Sequence, residues 1–145
     1  MKITFRTYVQ QDFRKVYEGF NEKLFVALAP FFPKIRLLQF DGNQTGNEVH
    51  LELHFLFFKQ TWQSLITQNE IAQDRIFFTD EGMKLPFFLK FWKHYHRIVK
   101  APQGGSFIED EINYKTPFFL FDYLIYPLMW LQFAYRKPIY KRKFS

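Results

Sequence analysis

The chain contains no cysteine. That absence excludes disulfides, thiol nucleophiles and cysteine-ligated zinc or iron–sulfur centres, and it favours a reducing compartment. Glycine is also scarce, at six residues, and the one adjacent pair, Gly104-Gly105, lacks the spacing of a phosphate-binding loop. No serine sits in a nucleophile-elbow context. The first residues, Met1 to Arg6, lack the apolar run and cleavage site of a signal peptide, so a cytoplasmic location is expected.

Charge of one sign is concentrated rather than spread. The net charge of +6 comes largely from Arg136, Lys137, Lys141, Arg142 and Lys143; the remainder has 15 basic and 14 acidic residues. A nearly neutral body does not suit a nucleic-acid groove, which needs cations along a face. The basic tail complements the dipole of a terminal helix and allows at most weak contact with anionic membranes. Phe118 to Tyr135 is apolar enough to suggest an anchor, yet Asp122, Pro127 and Gln132 interrupt it. An Asp deep in a bilayer costs roughly 2.5–3.5 kcal/mol, so a buried helix against an aromatic core is the expectation.

What the chain has in excess is aromatic rings. Phe, Tyr and Trp make up 22% of 145 residues, in a length that suits one domain, residues 1–145. Lys2 to Val9 alternates as a half-buried strand. Asp12 and Asn21 then cap two short helices, stopped by Pro30 and Pro33. Strands are predicted over Ile35–Asp41, Asn47–Phe58, Thr61–Ile71, Arg75–Glu81, Phe87–Lys100 and Phe107–Lys115. Thr116 as N-cap and Pro117 at the first helical position open a final helix reaching about residue 143, kinked at Pro127 and Pro138. Consecutive strands with short turns pair antiparallel, curl, and receive the last helix on the concave face. The class is α+β: a curved sheet of about seven strands, two short helices after the first strand, and a long C-terminal helix across it.

The wording of residues 76–136 carries a family likeness. Phe78, Asp80, Pro86 and Phe87 are followed by Trp92, His94 and His96 at alternate positions, then by Asp110, Ile112, Tyr114 and Pro117, and by Tyr135-Arg136. These residues, with the element order of the whole chain, resemble the SRPBCC superfamily of START and birch-pollen-allergen-like proteins. The nearest flavour is its small bacterial polyketide-cyclase-like branch, although Leu85-Pro86 stands where that branch has Gly-Pro. The resemblance implies a helix-grip fold with a hydrophobic cavity, and no single reaction.

Trp92, His94, His96 and Ile98 share one face of their strand, and Ile108, Asp110, Ile112 and Tyr114 share a face of the next. The turn at 101–105 sets Asp110 opposite His94 or His96. A carboxylate beside an imidazole fixes its tautomer, either as an acid–base pair or as a buried pair that only pins register. His94, His96 and Asp110 also have metal-ligand types, but such short matches are common, and no metal or other cofactor is expected. His50, Glu52 and His54 lie opposite an apolar face and read as a solvated surface. Phe55, Phe57, Phe78, Trp92, Tyr114, Phe118, Phe121 and Trp130 are expected to converge on the gap between sheet and helix, filling or lining it. The ligand-binding candidates are therefore Phe78, Asp80, Trp92, His94, His96, Asp110, Tyr114, Phe121, Trp130 and Arg136. The expected partner is a small hydrophobic or aromatic ligand, lipid-like or polyketide-like. The alternative is a cyclase or hydratase using His94 or His96 with Asp110, and no catalytic residue is assigned between the two.

Overall fold

The computed structural model describes residues 1–145. The strands are β1 (Lys2–Val9), β2 (Lys34–Phe40), β3 (Glu48–His54), β4 (Lys59–Ile71), β5 (Arg75–Lys84), β6 (Phe91–Lys100) and β7 (Ser106–Lys115). Helices α1 (Phe13–Glu18) and α2 (Glu22–Ala27) separate β1 from β2, and α3 (Phe119–Ala134) and α4 (Arg136–Lys143) close the chain. All seven strands form one antiparallel sheet in the order β1-β7-β6-β5-β4-β3-β2. From β2 to β7 every strand pairs with the next by hairpin, while α1 and α2 carry the chain from one sheet edge to the other. This is the α+β architecture read from the sequence.

Alternation fixes which face is buried. In β6, Trp92, His94, His96 and Ile98 point inward, and in β7 the inward set is Ser106, Ile108, Asp110, Ile112 and Tyr114. The tight turn at 101–105 depends on Gly105, whose φ is +78°, and a Cβ there would lie 2.4 Å from the Val9 carbonyl oxygen. Short helix caps follow the sequence: the Asp12 side chain accepts from Arg14 N–H, and that of Asn21 from Leu24 N–H.

Three boundaries differ from expectation. β3 stops at His54, because Phe55 N–H bonds Phe58 O and residues 55–58 make a tight turn. Phe57 is therefore 95% exposed and cannot face the core. Residues 86–90 form a second turn before β6, with Leu89 N–H on Pro86 O. At the last helix the N-cap is Phe118, not Thr116. The Thr116 backbone N–H and hydroxyl both reach Asp122 Oδ1 at 2.6 Å, so the carboxylate on the first turn holds the incoming chain. Those hydrogen bonds, the Thr116 hydroxyl first, keep the Asp122 carboxyl below the usual carboxylate range.

The terminal helix is divided at Tyr135. Pro138 has no N–H to give Ala134 O and its ring crowds that carbonyl, so α3 ends at Ala134 and α4 begins with Pro138 in its first turn. Pro127 is accommodated within α3. Helix α3 presents Met129 and Phe133 to Ile3, Trp92, Ile112 and Tyr114, while α4 packs Ile139 and Tyr140 with α1, α2 and the other end of the sheet. No helix is long and apolar enough to cross a membrane.

Candidate functional site

Strand register brings two acids and two imidazoles into one layer. Asp80 on β5 lies opposite His94, and Asp110 on β7 lies opposite His96. The short contacts run diagonally: His94 Nε2 to Asp110 Oδ1 at 2.9 Å, and His96 Nε2 to Asp80 Oδ2 at 3.0 Å. The directly opposed pairs are looser, with His94 Nδ1 3.6 Å from Asp80 Oδ2 and His96 Nδ1 3.5 Å from Asp110 Oδ1. Trp92 Nε1–H donates to the remaining Asp80 oxygen at 3.0 Å. Phe78 stacks on His96 with ring centres 4.3 Å apart, and Phe133 and His94 meet at right angles with ring centres 5.2 Å apart. These contacts leave neither imidazole free to turn.

The electrostatics follow from burial and those contacts. Burial and the neighbouring His96 push His94 down to about 4, against the opposing pull of Asp110 and Asp80. His94 is therefore neutral at pH 7. Burial alone would raise Asp110, but the His94 hydrogen bond, the two neighbouring imidazoles and the Arg136 guanidinium together hold it below the ordinary range. Asp80 behaves alike: burial opposes, and the His96 bond, the two imidazoles and Trp92 outweigh it. With Asp110 ionised, the proton of neutral His94 resides on Nε2, and its Nδ1 carries a lone pair. That nitrogen faces Asp80 Oδ2 at 3.6 Å, and with its pKa lowered to about 4 it is a weak base. Asp80, His94 and His96 also place one ligand atom each within 4.8 Å of one another, types and spacing that can hold a transition-metal ion.

This cluster faces a pocket of about 720 Å³ between the sheet, α2 and α3. Its walls are Leu24 of α2 and Leu28 just after it, Val49, Leu51 and Leu53 of β3, Trp62 and Ile66 of β4, and Ile125, Met129 and Phe133 of α3. Asp80, His94, His96, Gln132 and Arg136 give it one polar end. The Arg136 guanidinium lies 4.2 Å from the Phe133 ring centre, and its Nε is buried without a hydrogen-bond partner. Nearby Tyr140 also has a buried hydroxyl lacking a partner, and burial pushes its phenol well above the usual value.

Of the ten candidates, Phe78, Asp80, Trp92, His94, His96 and Arg136 line the pocket. Asp110 does not; it stands behind the histidines, hydrogen-bonded to His94 and 3.5 Å from His96 Nδ1. Tyr114 is buried elsewhere, its hydroxyl donating to Asp122 O at 2.7 Å. Phe121 and Trp130 are turned away, 49% and 43% exposed, because the inward stripe of α3 is Ile125, Met129 and Phe133. Trp130 instead packs on Phe5. Of the other expected rings, Phe55 reaches the pocket, whereas Phe57 and Phe118 stay at the surface. Trp62, Ser64 and Ile66 were legible as a pocket face from their alternation in β4, and Gln132 from its place one turn before Arg136. His50 and His54 pair with Glu48 and Glu52 on the outer face.

Solved structures with this architecture include Zhui aromatase/cyclase from a Streptomyces species, at a TM-score of 0.59 and 13% identity over 81% of this chain and 69% of that one. Norcoclaurine synthase of Thalictrum flavum superposes with a TM-score of 0.63 and 12% identity, over 88% of this chain and 82% of that one. No family model and no curated protein matches the sequence. The chain shares the helix-grip fold of these structures, the fold that the resemblance of residues 76–136 implies. At such identities the likeness is one of fold, and the chemistry must be argued from the site.

Proposed function

We propose that this chain binds one small, largely apolar molecule between the sheet and α3, with a polar group of that molecule held by the Asp80–His94–His96–Arg136 end. The observation that carries this reading is the pocket itself: about 720 Å³, walled by aliphatic and aromatic side chains, with its ionisable groups gathered at one place. Volumes of roughly 300–1,000 Å³ with few convergent polar groups suit drug-sized ligands. An aromatic or polyketide-like ligand fits the ring-rich walls and a planar Arg–imidazole end best. Arg136 lines the pocket and its buried Nε lacks a partner, which favours a ligand bearing an acceptor such as a carbonyl or phenolate. The structure of norcoclaurine synthase with dopamine and hydroxybenzaldehyde is a precedent for aromatic ligands in this fold. The whole chain, residues 1–145, acts as one unit in the cytoplasm, without nucleic acid.

A second reading, an acid–base enzyme of cyclase or hydratase type, rests on the neutral His94 held by Asp110. The experiment is a thermal-shift and titration screen with aromatic polyketides, fatty acids and sterols. At least one class should raise the melting temperature, and Ser64→Phe, which fills the pocket, should weaken its binding more than about tenfold. No shift with any class would refute the binding reading. If the bound molecule is converted, Asp110→Asn should remove turnover and leave affinity within a few-fold.

A further inference from the structure

Four Phe-Phe pairs lie outside the strands: Phe31-Phe32, Phe57-Phe58, Phe87-Phe88 and Phe118-Phe119. Each occupies a different connection, namely α2–β2, β3–β4, β5–β6 and β7–α3. Register gathers all four at one end of the sheet, since Lys34 pairs with His54, His54 with Lys59, Gln63 with Lys84 and Phe91 with Lys115. Their tips are bare: Phe31 is 97% exposed, Phe57 95%, Phe119 65% and Phe87 63%. Connections at the opposite end, residues 10–12, 41–47, 72–74 and 101–105, contain no aromatic residue. Ring contacts link Phe32, Phe55, Phe58, Phe87 and Phe88 into one continuous rim.

Charge accompanies the rings. Each pair is flanked by exposed lysine: Lys34, Lys59, Lys84 with Lys90, and Lys115. No Asp or Glu occurs in residues 29–34, 54–60, 84–91 or 114–121. Aromatic tips standing beyond a collar of lysines match the layered chemistry of a bilayer surface, acyl chains below and anionic headgroups above. Lysine stems can also lie along the apolar rim with their ammonium groups at headgroup level. A soluble monomer rarely leaves such a contiguous apolar patch uncovered.

We propose that this end of the molecule docks on the surface of an anionic lipid bilayer, inserting the Phe31, Phe57, Phe87 and Phe119 tips while Lys34, Lys59, Lys84, Lys90 and Lys115 engage headgroups. The docking needs no particular pocket ligand and stands apart from that reading. It places Phe31, Phe32, Phe55 and Phe88, which also line the pocket, against the lipid. The basic tail is not the docking element: Phe144 O accepts from Gln10 and Gln11 N–H, at the other end of the sheet.

The test is co-sedimentation of the full chain with phosphatidylcholine vesicles and with mixed phosphatidylcholine–phosphatidylglycerol vesicles at low salt. The chain should bind the mixed vesicles, and salt should weaken that binding. The double variant Phe31→Ser, Phe57→Ser should lose more than about tenfold in partitioning. Its melting temperature should be unchanged, because both side chains are almost wholly exposed. Lys34→Gln with Lys59→Gln should weaken binding to mixed vesicles only, and Lys141→Gln, Arg142→Gln, Lys143→Gln should leave it unchanged. Failure of the full chain to bind either vesicle would overturn the proposal. So would undiminished binding by the Phe double variant, or a loss caused by the tail variant. A concentration-dependent dimer dissolved by the Phe variant, without vesicle binding, would assign the rim to a second copy instead.

Discussion

His94 is the residue whose protonation most directly couples the site to stability. In the unfolded chain it takes a proton near pH 6.5, whereas the folded chain holds it neutral down to about 4. The unfolded state therefore binds more protons between those values, so stability is full above pH 6.5 and is lost as pH falls through 4. The size of the loss is roughly 3 kcal/mol. Asp80 and Asp110, both held below the usual carboxylate range, add losses of the same sign at still lower pH. Urea denaturation at a series of pH values should show this slope, and His94→Gln should flatten it between pH 7 and 4. A variant with the wild-type slope would remove His94 from the account. Removing one partner is the harsher change: Asp110→Ala leaves His94 Nε2–H buried and unpaired, at a cost of about 1–3 kcal/mol.

At the scale of elements, α3 is unusual because it is apolar on nearly every side yet buries few residues. Phe133 and Met129 are buried, while Leu120, Leu124, Leu128 and Leu131 are all more than half exposed. Phe133→Ala should therefore cost about 3–5 kcal/mol, whereas Leu124→Ser, at an exposed site outside the pocket, should change stability by less than about 0.5 kcal/mol. Equal costs in chemical denaturation would mean that α3 is seated differently. The same helix shows where sequence reading stops. Strand alternation was decisive in β3, β6 and β7 because one face is buried and a one-residue slip would reverse every side chain. That pattern gave the His94, His96 and Asp110 layer. Helix α3 has no such contrast, so its inward stripe was illegible, and Phe121 and Trp130 were expected where Ile125 and Met129 stand. Turns built from Phe55–Phe58 and Pro86–Lys90 were likewise obscured, since they lack the usual Gly, Asn or Asp punctuation and their rings imitate strand or core. Phe57 was misassigned for that reason.

For the molecule as a whole, one sheet separates three chemistries. Polar turns and the basic tail occupy one end, the Phe–Lys rim the other, and the acid–imidazole layer lies buried between them under α3. The order of elements disclosed the helix-grip arrangement, but the end-to-end segregation appears only once hairpin register aligns four distant Phe pairs. Two separate cores, one under α1, α2 and α4 and one under α3, flank the pocket and hold its walls apart. The central claim is that this space receives a small apolar molecule. Native mass spectrometry of the full chain, purified without detergent and then incubated with the best-shifting compound of the thermal screen, tests that claim most directly. The account predicts a one-to-one complex that is retained by the wild-type chain and lost in Ser64→Phe. A spectrum of unliganded protein alone, or a complex that survives filling of the pocket, would contradict it.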